Sequence, residues 1–181
     1  ERLDAHGQGK GIGPLVHGVE GRVVDGVLEI RGPTLMSGYL PSDVPGAGLT
    51  PDGRLRTGDL ARIDEDGRLH VLGRADDVIV TGGENVSPLE VETALEEHPA
   101  VTGAAVFGVE DPEWGHAVHA RVLVVEDAEV PGEEELRSFL RRTLARFKIP
   151  RRIEIVDSLA LTASGKIDRR LLGAIDRRTR G

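Results

Sequence analysis

The chain has no cysteine, which excludes disulfides and thiolate metal sites and leaves the redox compartment unread. Aromatics are scarce too: three Phe, one Tyr and one Trp among 181 residues, so any core must be built from Leu, Val, Ile and Ala. No apolar run approaches the roughly 20 residues that a membrane span requires. No charged-then-apolar stretch of the signal-peptide kind opens the sequence, so a cytoplasmic protein without a membrane span is expected. The only Met is Met36 and the first residue is Glu1, which suggests a fragment, a processed product or part of something longer. Lysine is nearly missing. Only Lys10, Lys148 and Lys166 occur, against twenty arginines.

With 39% hydrophobic and 30% charged residues, the composition is that of a globular protein rather than a disordered or fibrous one. The length suits one domain or two small ones. The net charge of −8 is unevenly spread: from residue 151 on, seven Arg and Lys166 face four acids, leaving that tail at +4 and the remainder at −12. Such a tail can meet phosphates or simply be a solvated helix face. No nucleic-acid partner is expected.

Along the chain, residues 1–13 are polar and glycine-rich and read as a mobile lead-in. Two β-rich runs, "VEGRVV" and "VLEIRG", meet at Asp25-Gly26, a strong hairpin signal. A turn-rich loop follows over 41–54, and "RLHVLGR" reads as a strand after the turn "DEDG". Residues 1–75 are therefore expected to form a small β-rich unit. The character changes at Asp76. A short strand and a glycine loop lead into a helix whose start is marked by Ser87 as cap, Pro88 in the first turn and Glu90 as in a capping box. Strands are expected at "VTGAAVFGV", "HAVHARVLVV" and "RRIEIV", an amphipathic helix over 132–147, and a closing helix over 166–178. Residues 76–181 thus read as an α+β domain with a short sheet and flanking helices.

Several chemical motifs fail on inspection. Lys166 is not in a phosphate loop, because Ala160 and Ile167 stand where a Gly and a Ser or Thr are needed. The glycines at 7, 9, 11 and 13 follow no strand, and Pro14 comes next, so they are no dinucleotide fingerprint. His116 and His119 lie three apart in a strand and point to opposite faces, so no shared metal site is expected.

Three motifs remain: "RTGDL" at 56–60, "GRADDVIVTGGENVSPLEVE" at 73–92 and "LTASGKIDRR" at 161–170, supported by "GPTLMSGYL" at 32–40 and "HPAVTGAAVFGVEDPEWG" at 98–115. In this order they resemble the carboxyl-terminal part of adenylate-forming enzymes: acyl-CoA synthetases, peptide-synthetase adenylation domains and luciferases. The likeness runs from about Gly13 to the end. It implies that residues 1–75 end a large adenylation domain and that 76–181 are its mobile small domain.

The resemblance also implies roles, each beside a plainer reading. Asp59 becomes the ATP ribose ligand, with Arg74 assisting and Val71 against the nucleoside; by itself Asp59 is equally a turn acid bonding its own backbone. Asp76 becomes the hinge between adenylation and thioester-forming arrangements; by itself it is a loop acid. Gly82, Gly83 and Glu84 become the loop that lines the CoA channel; by themselves the glycines make a tight turn before the helix. Lys166 becomes the adenylation lysine, a compact ammonium bridging carboxylate and α-phosphate as charge gathers there; by composition alone it is a surface charge. "GGENVSPLEVE" is closer in wording to acyl-CoA synthetases than to peptide-synthetase domains. The implied substrates are a carboxylic acid, ATP and CoA.

Two positions depart from the family pattern: Ala160 stands for a common Pro, a minor departure that implies a looser approach to the lysine loop, and His116 stands for Glu or Gln, which does not touch these roles. Missing, however, are the family's phosphate loop and the motif that holds adenine and Mg2+. Those parts are expected on an N-terminal domain, in cis or in trans, and the 181 residues alone are expected not to make an acyl-adenylate. A carrier-protein ligase, or a non-catalytic partner of an adenylating subunit, are the alternatives.

Overall fold

The computed structural model describes residues 13–36, 49–126 and 129–179. The lead-in up to residue 12 and most of the loop expected over 41–54 lie outside them. The chain divides into two compact units, with the boundary between Asp76 and Asp77. Asp76 closes the first unit, one residue later than the composition suggests.

The first unit is an antiparallel sheet of β1 (Gly13–Pro14), β2 (Glu20–Val24), β3 (Val27–Arg31), β4 (Leu55–Ile63) and β5 (Arg68–Arg74), in the order β1-β5-β4-β3-β2. The hairpin expected at Asp25-Gly26 forms, with Val24 opposite Val27 and Asp25 itself in the left-handed region at φ 51°. That geometry matches the twist of the flanking strands. The core here is small: Leu28, Ala61 and Leu69, with Leu15, Val23, Ile30 and Ile63 packed around it. Glu29 is buried beside them and is neutralised by Arg22 at 2.8 Å and Arg56 at 3.1 Å.

The second unit is α+β. It contains β6 (Ile79–Thr81), β7 (Glu84–Val86), α1 (Pro88–Glu96), β8 (Val101–Asp111), β9 (Gly115–Val124), α2 (Glu133–Leu140), β10 (Arg152–Ile155) and α3 (Arg169–Thr179). The long β8–β9 hairpin is its centre. β10 joins the other edge of β9 in parallel, and the β6–β7 hairpin meets the start of β9 through Thr81 and Gly115.

β8 is apolar almost throughout because both its faces are covered. Ala104 and Val106 belong to the larger core with Val91, Leu95, Leu136, Leu140 and Ile153, whereas Ala105, Phe107 and Val109 pack with Leu172 of α3. A strand buried on both faces loses the alternation of a half-exposed one. His119 and His116 do point opposite ways: His116 is exposed, and His119 is buried with Nδ1 3.4 Å from Asp176 Oδ1.

Two expectations need correction. The helix expected over 132–147 stops at Leu140, because the Arg142 and Thr143 amides bond three residues back, to the carbonyls of Phe139 and Leu140, before Leu144 bonds four back to Leu140. This tightening drops Leu144 into the core, and extended Ala145 then ends the turn. The glycine loop is also more regular than expected: β6, Gly82-Gly83 and β7 form a complete two-residue hairpin. Among the described residues no helix is long and apolar enough to cross a membrane.

Candidate functional site

In the first unit, β4 is distorted where "RTGDL" lies. Between the pairs Val27–Leu60 and Glu29–Arg56, two steps along β3 face four along β4, so Thr57, Gly58 and Asp59 bulge from the ladder. Bulges re-aim side chains next to sites. Gly58 sits at φ 76°, and a Cβ there would lie 2.9 Å from Arg74 Nη2; only glycine lets the guanidinium lie over the bulge.

Arg74 uses that space. Its Nη1 donates to Asp59 Oδ1 at 3.1 Å and to the Thr57 carbonyl at 2.9 Å, and its Nε donates to Asp76 Oδ1 at 3.2 Å. Burial opposes the charge on Arg74, but the bonds to Asp59 and Asp76 outweigh it and hold the guanidinium above its ordinary range. Thr57 fixes the turn from beneath: its hydroxyl donates to the Leu28 carbonyl and accepts the Asp59 amide at 3.1 Å. Asp59, Arg74 and Asp76 are therefore one cluster, and among the described residues no donor takes the second carboxylate oxygen of Asp59. Val71 lies apart from it, exposed on β5 opposite Ala61.

In the second unit the glycine turn and Lys166 are separate features, and among the described residues no hydrogen bond or ion pair joins them. A Cβ at Gly82 would lie 2.5 Å from Trp114 Cε3, and the Gly82 amide donates to the Trp114 carbonyl at 2.9 Å. The close approach at Gly82 is thus to an indole of the chain itself. Around Gly83 there is open space, and Glu84 is exposed.

Lys166 lies in a small hairpin. Leu161 bridges Ile167, the Thr162 amide donates to the Lys166 carbonyl at 2.7 Å, and the Lys166 amide donates to Thr162 Oγ1 at 3.2 Å. Residues 161–166 are all exposed, while Leu159, Ala160 and Ile167 rest against the Phe107 side of the sheet. Asp168 then caps α3 by accepting the Leu171 amide at 2.9 Å. The ammonium of Lys166 has no partner among the described residues.

Two groups near these motifs were not legible beforehand. Glu92 is buried under β8, accepting the Val106 amide at 2.8 Å and both contacts of Arg169 Nη2 at 2.8 Å. Burial pushes its carboxyl above the ordinary value of 4.5, against the pull of Val106 and Arg169. A Glu within the apolar stripe of Val91, Ala94 and Leu95 was the available signal. Thr57 gave none. Among the described residues, no group of three or more His, Asp or Glu can hold a metal ion.

Residues 90–166 match the family model described as AMP-binding enzyme C-terminal domain. The chain is 43% identical over 147 residues to the 2-succinylbenzoate–CoA ligase of Bacillus licheniformis, covering 81% of this chain and 30% of that protein. It is 39% identical over 165 residues to a feruloyl-CoA synthase from a Streptomyces species, covering 91% of this chain and 32% of the relative. The fold matches an amide bond synthetase from Marinactinospora thermotolerans with a TM-score of 0.84 and 37% identity, over 92% of this chain and 36% of that one. The chain thus spans about a third of the length of the proteins it matches.

Proposed function

Given a chain that belongs to the adenylate-forming superfamily and matches the carboxyl-terminal part of its CoA ligases, we propose that it serves an AMP-forming acyl-CoA synthetase. In the first step a carboxylate oxygen attacks the α-phosphorus of ATP, giving acyl-AMP and releasing pyrophosphate. In the second, the CoA sulfur attacks the acyl carbon; the thiol proton is lost, AMP leaves and a thioester forms.

The single observation that carries this reading is the state of Lys166. It is one of three lysines, held by backbone bonds at an exposed hairpin with its ammonium unpartnered among the described residues. A surface lysine needs no such scaffold. A lysine that must enter another active-site wall does. In this reading its ammonium neutralises the charge shared by carboxylate and α-phosphate in the first step. Asp59 accepts the ribose hydroxyls, Arg74 holds Asp59 in place, and Val71 lies against the nucleoside. Asp76 is the hinge between the two steps, and Gly82, Gly83 and Glu84 flank the CoA thiol arm. Among the described residues no group of donors makes a Mg2+ site, and no step is assigned to the metal; a phosphate-binding domain is required in cis or in trans. The setting is cytoplasmic.

The test is ATP–pyrophosphate exchange by the complete polypeptide carrying these residues, with ferulate, 2-succinylbenzoate, oxalate and decanoate as trial acids. Lys166→Ala is expected to lower exchange by about 100-fold or more while thioester formation from a synthetic acyl-adenylate persists. Exchange unaffected by Lys166→Ala, or exchange by the 181-residue chain alone, overturns the reading. A second acceptor is favoured by the amide bond synthetase match: an amine in place of CoA. Supplying CoA, a carrier protein or an amine to preformed acyl-adenylate separates the three. Stable binding to an intact synthetase without any dependence on Lys166 would favour a non-catalytic partner instead.

A further inference from the structure

Three residues after Lys166, Arg169 opens α3 and ties four distant parts of the second unit together. Its Nη2 donates to both oxygens of Glu92 on α1 at 2.8 Å, its Nη1 to Asp77 Oδ2 at 3.2 Å, and its Nε to the Val106 carbonyl of β8 at 3.2 Å. Its side chain is 23% exposed and that of Glu92 is 6% exposed. Asp77 is the residue that follows Asp76. The root of the Lys166 hairpin, the central strand, the first helix and the start of the unit are therefore held at one guanidinium.

Such a pair is a poor way to gain stability. Taking a carboxylate and a guanidinium out of water costs about as much as their attraction returns, and an apolar pair of similar volume often does as well. What the arrangement does supply is direction. The planar fork of Arg meets three acceptors that diverge around it, which a point-charge ammonium cannot do. Beyond the apolar rest of Leu159, Ala160 and Ile167, this is the only charged anchor that ties the 159–169 segment to the body among the described residues. Apolar contacts tolerate sliding, whereas a fork on a buried carboxylate does not.

We infer that Arg169 is a positioning residue for Lys166: through Glu92, Asp77 and the Val106 carbonyl it fixes where the lysine hairpin leaves the second unit. The inference rests on the role proposed for Lys166. Because Asp77 belongs to the same network, the lysine hairpin and the chain beside the proposed hinge move as one piece. A displacement of about 1 Å at a reacting group costs on the order of 100-fold in rate, which sets the expected scale.

The experiment uses the complete enzyme and the acid giving the strongest exchange. Arg169 truncated alone strands the Glu92 charge, so the informative variant is Glu92→Gln with Arg169→Met, in which the Gln amide oxygen still accepts the Val106 N–H. Arg169→Lys is its conservative companion. The double variant is expected to melt cooperatively near the parent temperature. Its kcat for adenylation should fall roughly 10- to 100-fold, with KM for ATP and acid within about twofold and thioester formation from synthetic acyl-adenylate unchanged; Arg169→Lys should fall in between. Adenylation at the parent rate in the folded double variant overturns the inference, as does an equal loss in both half-reactions. Lys166→Ala in parallel separates the two levels. If Lys166 is needed and Arg169 is dispensable, only this inference falls; if Lys166 is dispensable, the reading beneath it falls and takes this one with it.

Discussion

Gly82 and Gly83 stand side by side with positive φ, at 58° and 83°, yet their neighbourhoods differ. Alanine at either position meets backbone strain of about 1 kcal/mol, but only at Gly82 does the new Cβ strike Trp114. We expect Gly82→Ala to cost about 1 kcal/mol more than Gly83→Ala, because the half-exposed indole yields in part. The excess should vanish when Trp114 is also replaced by Ala. Urea denaturation of the five proteins, the parent included, measures this as a double-mutant cycle, and equal losses at the two glycines would remove the indole contact from the explanation. Gly82-Gly83 was legible as a turn from composition. That one glycine serves an indole 32 positions away was not, because local sequence carries no record of a tertiary neighbour.

The β4–β5 connection shows how an element is held by one acid. Asp64 accepts the Arg68 amide at 2.8 Å, and its other oxygen lies 2.8 Å from His70 Nε2. The His70 bond, then the Arg68 amide, holds the Asp64 carboxyl below its ordinary 3.8. A carboxylate lowered on folding stabilises the fold above that ordinary value and loses the contribution as pH falls through the lowered one. Asp64→Asn is thus expected to weaken the parent at pH 6 and to flatten the acid side of its stability profile below about pH 4, read by urea midpoints across that range. A variant whose acid limb matches the parent's would assign the acid sensitivity elsewhere. Glu92 has the opposite sign: raised by burial, its contribution is complete below 4.5 and is lost as pH climbs through the raised value. At this scale the sequence was a good guide where signals are local. The Asp25-Gly26 hairpin and the Ser87 cap, whose Oγ takes the Glu90 amide at 3.5 Å, follow from turn and cap chemistry. α2 was overextended because its apolar spacing continues to Leu144, while the hydrogen bonds tighten after Leu140. β7 was missed because a three-residue strand has too few positions to show a period.

Across the whole molecule, the buried clusters are unequal. Among the described residues the second unit holds one of fifteen buried residues and another of four, the first unit one of three. Small units with few buried side chains are marginal on their own. We expect residues 77–181 expressed alone to unfold cooperatively, and residues 9–76 alone to lack a cooperative transition; thermal melts by circular dichroism decide both. A cooperative melt for the smaller piece would mean that the Glu29 ion pairs contribute more than their exposed partners suggest. The site was legible only as separate motifs. The family resemblance singled out Asp59, Arg74, Asp76, the glycine pair and Lys166, each by its own motif, but not the bulge that joins Asp59 to Arg74 and Asp76, nor the fork that roots Lys166. Both depend on residues far apart in the chain.

Trp114 has a further use. It is the only tryptophan of the chain, 42% exposed, resting on Gly82 with the Arg151 guanidinium 5.5 Å from the ring centroid. Ultraviolet excitation of this chain near the red edge of protein absorbance therefore lights a single fluorophore, placed at the glycine turn. A shift in its emission colour, or a change in quenching by iodide, reports rearrangement of that turn in real time without any attached dye.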